Sequence, residues 1–106
     1  MEKTNHTEIM LIAQEECAEV TQAISKVFRF GIDGTHNGAT NRARLTEEVG
    51  DLKCMIDLMC QTGIIDEAEM NEAAKAKLQK LKRWSTIFGM PETVSYTHLR
   101  AHETLM

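Results

Sequence analysis

Proline is nearly absent from this chain: Pro91 is the only one, and the aromatic residues number five, three phenylalanines, one tryptophan and one tyrosine, beside seven methionines. An adaptable aliphatic core with little ring stacking follows. Cysteine is scarce too. Cys17, Cys54 and Cys60 form no C-x-x-C pair, which excludes a disulfide frame and a thiolate zinc site. No apolar run nears the length needed to cross a bilayer. Positive charge is also in deficit, at 12 basic against 16 acidic residues and a net charge of −4. That balance argues against a nucleic-acid backbone or an anionic membrane surface as the main partner. The opening Met-Glu-Lys-Thr-Asn-His lacks the basic-then-apolar layout of a signal peptide, so a cytoplasmic protein is expected. What remains is ordinary for a folding chain: 42% hydrophobic and 26% charged residues over 106 positions. Such a chain makes one small domain, and a partner subunit would help it bury enough surface.

The segment Val94–Thr104 reads Val-Ser-Tyr-Thr-His-Leu-Arg-Ala-His-Glu-Thr and resembles the translation of a transposase adaptor used in sequencing libraries. Residues 94–106 are therefore set aside as a non-native tail, leaving 1–93 as the domain, with its C-terminal end open to truncation. The His98 and His102 pair, four residues apart beside Glu103, leaves with the tail and is not taken as a metal site.

Glycines and capping residues divide the rest into three helices. The first starts at a Thr4 or Thr7 cap, carries Ile9, Ile12, Val20, Ala23 and Val27 at helical spacing, and stops at a left-handed Gly31. A polar loop, Gly31–Thr40, is long enough to be mobile. The second helix opens near Thr40 or Asn41 and carries Leu45, Val49, Leu52, Ile56 and Met59 before Gly63. The third starts at Asp66, with Glu69 placed for a capping box, bears Met70, Ala74, Leu78, Leu81 and Trp84, and ends by Gly89. No strand alternation is visible, so the expected fold class is all-α.

The chemistry lies in acids that intrude on the apolar stripes. At about 100° per residue, the apolar positions of the first helix fall within roughly 40° of Glu16, and Glu19 lies about 60° from it. In the second helix Glu48 falls roughly 40° from Leu52, inside the stripe, with Asp51 on its border. Each helix thus offers an acid pair at i, i+3, on one face. Packing the stripes together gathers four carboxylates, and buried like charges are costly unless a cation compensates them. Acidic pairs are also common on solvated faces, the reading preferred for Glu15, Glu47, Glu67, Glu69 and Glu72. All-carboxylate ligation favours magnesium, manganese or calcium over zinc or copper, and magnesium adds substrate phosphates to a few carboxylates. Neither pair carries the Glu-x-x-His of a bundle di-iron site. Magnesium with a phosphorylated substrate is the reading these residues prefer.

Glu15-Glu16-Cys17-Ala18-Glu19, followed by Glu47-Glu48-Val49-Gly50-Asp51-Leu52, resembles the E-E-x-x-E … E-x-x-D signature of the MazG-like, all-α nucleoside triphosphate pyrophosphohydrolases. The resemblance covers roughly residues 8 to 88 and extends to Lys26, Arg29-Phe30-Gly31 and Thr40-Asn41-Arg42. It implies a helical subunit that forms homodimers or homotetramers, binds magnesium, with manganese as a substitute, and cleaves a (d)NTP to the monophosphate and pyrophosphate. Position by position, it implies Glu16, Glu19, Glu48 and Asp51 as metal ligands. Glu15 is then a catalytic base or a solvated glutamate. Lys26 is a phosphate contact or a surface lysine that neutralises the acids. Arg29 is a weaker substrate contact at the helix exit, and Asn41 contacts nucleotide or caps its helix. Lys75, Lys77, Lys80, Lys82 and Arg83 offer further phosphate contacts or dipole partners, and Trp84 reads as core rather than as a stacking platform. The competing reading is a non-catalytic helical oligomerisation module.

Overall fold

The structure is a computed structural model that describes residues 4–89, and the 94–106 tail set aside above lies outside the described residues. Three helices carry the fold, α1 (Asn5–Phe30), α2 (Asn41–Gln61) and α3 (Glu67–Trp84), with a short hairpin of β1 (Thr35–His36) and β2 (Ala39–Thr40) between the first two. They fall into two compact units that divide between Ile65 and Asp66. Among the described residues no helix is long and apolar enough to cross a membrane.

Each helix begins on a side-chain cap. Thr4 Oγ1 accepts from Thr7 N–H at 3.1 Å, Thr40 Oγ1 from Ala43 N–H at 3.0 Å, and Asp66 Oδ1 from Glu69 N–H at 2.8 Å. Each bond satisfies one of the amides that a helix start leaves without a partner. Thr40 is thus the cap of α2, and Asn41, the alternative in the sequence, is its first helical residue. Glu8 near the start of α1 and Arg29 near its end both complement the helix dipole. Gly31 ends α1 as expected, but with φ 88° and ψ 151° it is in the extended positive-φ region rather than the left-handed helical one.

The chain between α1 and α2 departs furthest from expectation. Asn37 and Gly38 take φ values of 52° and 81°, a primed two-residue turn that pairs Thr35 with Thr40 and His36 with Ala39. The loop is tied down as well. Asn41 N–H donates to Gly34 O at 2.9 Å, Arg42 N–H to Ile32 O at 2.8 Å, and Arg44 Nη2 to His36 O at 2.8 Å. Asn41 is buried, and its Nδ2 donates to Gly31 O at 2.9 Å, joining the head of α2 to the foot of α1. Gly34 sits so close to α1 that a Cβ there would lie 2.4 Å from Phe30 O. Backbone cannot yield that much without moving the hairpin. Gly34→Ala is expected to cost about 1–3 kcal/mol, read as a lower denaturation midpoint at unchanged slope; wild-type stability would show the hairpin free to shift.

α1 and α2 pack on each other and run antiparallel, since Asn41 meets the end of α1 while Glu48 and Asp51 reach back to Glu16. The less exposed residues of α1, Ile9, Ile12, Ala13, Glu16, Val20, Ala23 and Val27, trace the expected stripe with the glutamate inside it. In α2 the stripe is Asn41, Arg44, Leu45, Glu48, Leu52, Met55, Ile56 and Met59. Val49, expected on it, is 47% exposed, and Met55 is buried in its stead. Met55 lies nearer the centre of the stripe that α1 covers, and Val49 lies on its far border. In α3 Met70, Leu81 and Trp84 are half-buried, Ala74 and Leu78 are exposed, and no residue of the helix is buried. Among the described residues the buried apolar core is small, comprising Ala13, Ala23 and Met55.

Candidate functional site

The antiparallel pairing brings the acids of both stripes to one place on the α1–α2 seam. One carboxylate oxygen from each of Glu16, Glu48 and Asp51 lies within 4.8 Å of the other two. Glu16 and Glu48 are half-buried because they occupy positions where the helix pattern calls for an aliphatic residue, whereas Asp51 stands at the exposed border. Glu19, exposed one turn along α1, stays outside that triplet but lines a small cavity of about 150 Å³ together with Glu48. Three of the four carboxylates named from the sequence are therefore gathered, with the fourth alongside.

The cluster is electrostatically uncompensated. Burial raises the pKa of Glu16 above the ordinary carboxylate value, and the charges of Asp51, Glu19 and Glu15 push it the same way. Glu48 is raised too, by burial first and then by Glu19, Asp51, Glu16 and Glu47. No ion pair among the described residues engages Glu16, Glu19, Glu48 or Asp51. Glu16 Oε2 is sealed from solvent without a hydrogen-bond partner among them. A buried carboxylate oxygen with no donor is costly to keep. Three converging hard oxygen donors suit a divalent cation such as magnesium or manganese, and a cation would satisfy that oxygen.

The remaining sequence candidates separate. Glu15 is exposed beside Glu16, and the charge it places on that carboxyl is its recorded link to the cluster. Lys26, two turns beyond Glu19, lines both the small cavity and a larger one of about 370 Å³ near the hairpin. Asn41 lines both as well, so its fixed amide is structural and also faces the cavities. Arg29 lines neither; its guanidinium carbon lies 4.9 Å over the Phe30 ring. Lys75 pairs with Glu72 at 3.3 Å on the exposed surface of α3.

Arg44 is the residue that sequence reasoning missed. It lines both cavities, and its Nε is buried without a partner among the described residues. A signal existed: four residues before Glu48, it lies about 40° from it, a cation on the same apolar stripe. The angular test that singled out Glu48 applies equally to Arg44.

A family model for the MazG nucleotide pyrophosphohydrolase domain matches residues 4–86, most of the chain and all of the seam described above. No curated protein and no solved structure is significantly similar to the chain. With the matched region spanning α1, the hairpin, α2 and α3, the chain belongs to the MazG nucleotide pyrophosphohydrolase domain family.

Proposed function

We propose that this chain hydrolyses a (d)NTP between the α- and β-phosphates, with magnesium, to the monophosphate and pyrophosphate. The observation that carries the reading is the convergence of Glu16, Glu48 and Asp51 with a buried, donor-less Glu16 oxygen, in a chain of this family. When bound, a divalent cation supplies charge neutralisation on the phosphate oxygens and orientation of the attacking water. Glu16, Glu48 and Asp51 hold it, with Glu19 on the adjoining wall. Water adds to one phosphorus of the α–β anhydride and the bond from that phosphorus to the bridging oxygen breaks; the bridging oxygen leaves with pyrophosphate when the α-phosphorus is attacked and with the monophosphate when the β-phosphorus is. The proton shed by the water passes to a carboxylate, the role assigned to the exposed Glu15. Lys26 and Arg44 face the polyphosphate and offset its charge beside an acidic site. Asn41 holds the seam closed at the cavity wall.

The working unit is proposed to be a homodimer or homotetramer. Two alanines and one methionine, the buried apolar residues among those described, are a thin core for a folded subunit, while Met10, Leu11, Ile24, Phe28, Phe30 and Val49 remain exposed in the first unit. Purified protein with magnesium, given a panel of canonical and modified (d)NTPs, is expected to release pyrophosphate rather than orthophosphate from at least one. Orthophosphate release would reassign the bond that is cut. Silence across the panel would favour a non-catalytic oligomerisation module.

A further inference from the structure

We propose that the larger cavity, between the end of α1 and the hairpin, seats the nucleoside of the substrate, with the Phe30 ring as the stacking surface for the base and Arg44 as a phosphate-binding residue at the junction with the acidic site. The identity of the ligand rests on the pyrophosphohydrolase reading above; the placement rests on the cavities themselves. The two cavities share Lys26, Asn41 and Arg44, so they adjoin along the seam. Its chemistry changes in order. Glu19 and Glu48 line the acidic end, Lys26 and Arg44 the middle, and Phe30, Gly34 and His36 the far end. Carboxylates for a cation, cations for phosphate, then an aromatic wall beside backbone and imidazole polar groups is the order in which a metal-bound nucleotide presents its parts.

Phe30 is 62% exposed, although it is a large apolar ring at the end of a helix. Arg29, which does not line the cavity, lies over the ring and holds it by a cation–π contact. The ring carries that contact while still lining an open cavity. Arg44 spans the junction: Nη2 is anchored on His36 O, whereas the buried Nε has no acceptor among the described residues. A guanidinium anchored at one nitrogen while it lines both cavities is suited to a phosphate oxygen. Gly34 contributes by having no Cβ where the hairpin closes on Phe30 O and Asn41.

The test is equilibrium binding, by calorimetry in magnesium, of non-hydrolysable α,β-imido analogues of the four dNTPs and, separately, of tripolyphosphate. Wild-type protein is expected to bind at least one analogue more tightly than tripolyphosphate. Phe30→Ala should weaken that analogue by about 5- to 100-fold, the range for loss of one base-stacking contact, and leave tripolyphosphate unchanged. Phe30→Tyr should restore the affinity. Arg44→Gln should weaken both ligands together. Equal loss of both ligands in Phe30→Ala, or loss of neither, overturns the nucleoside seat. Pyrophosphate release by the wild type alongside that result would leave the hydrolase reading standing. Phe30-dependent analogue binding without any pyrophosphate release would keep the seat and remove the reaction.

Discussion

Glu48→Gln is expected to lower nucleotide turnover by at least about 100-fold, the scale of several kcal/mol of lost charge stabilisation at a metal site, while the metal-free protein becomes more stable. The two effects have one origin. Glu48 is half-buried and surrounded by Glu19, Asp51, Glu16 and Glu47, so its ionised form is disfavoured by burial and by like charge. Glutamine keeps the shape and removes the charge. The wild-type pH profile follows from the same shift. An ordinary glutamate titrates near ~4.3, and below that both folded and unfolded forms are protonated, with no penalty. As pH rises from there towards the raised native values of Glu16 and Glu48, the unfolded chain gives up its protons first. Metal-free stability therefore falls through the weakly acidic range. Magnesium at about 100 times its dissociation constant should return about 2.7 kcal/mol at neutral pH by mass action. In Glu48→Gln the acid-range slope should flatten and the magnesium-induced rise in melting temperature should shrink. Thermal melts at several pH values, with and without magnesium, read all three quantities. Wild-type turnover in the variant would remove Glu48 from the site, and a stability loss without metal would show that its charge is compensated in the native protein.

That Glu16 and Glu48 could be singled out before any coordinates reflects how rigid helical periodicity is. A helix position has one angular address, so an acid among aliphatics on a stripe must meet the facing helix, and the facing stripe carried a second acid. The fold was legible for the same reason, with caps at Thr4 or Thr7, at Thr40 or Asn41 and at Asp66, of which Thr4, Thr40 and Asp66 serve, and breaks at Gly31 and Gly63 bounding three helices. The border positions were not legible. Whether Val49 or Met55 is covered depends on how α1 crosses α2, which neither stripe specifies alone. The hairpin was missed because its strands are two residues each, too short to alternate, although Asn37-Gly38 is itself a strong turn signal. Overlooking it hid the larger cavity, since Gly34, Thr35 and His36 become a wall only when the chain folds back on α2. Arg44 escaped notice because a long cation on an apolar stripe is ordinarily read as a side chain that reaches solvent. Its Nε does not.

Phe28→Asp is expected to dissociate the oligomer. Met10, Ile24 and Phe28 are 42%, 41% and 86% exposed, and at about 100° per residue they fall within roughly 40° of one another on α1. The exposed Cys17 lies on the same strip. This strip is about 80–120° around the helix from Glu16, so it adjoins the face packed on α2 rather than opposing it. A second copy laid along it would extend the small core without covering the acid triplet's own face. Burying a phenylalanine contributes about 1.5–3 kcal/mol, and a two-fold interface counts each residue twice. Losing Phe28 from both subunits therefore removes about 3–6 kcal/mol, or about two to four decades in the dissociation constant. An aspartate adds the cost of desolvating two charges. Ala18→Asp, about 80–120° around α1 from this strip, serves as the control and should leave association unchanged. Sedimentation equilibrium over a dilution series should give a wild-type dimer or tetramer and a Phe28→Asp species of lower mass. The melting temperature of the wild type should rise with protein concentration, because association stabilises only the folded chain. A wild type that stays monomeric at high concentration, with a melting temperature independent of dilution, would remove the partner subunit from the proposal and leave Phe28 as an isolated exposed ring.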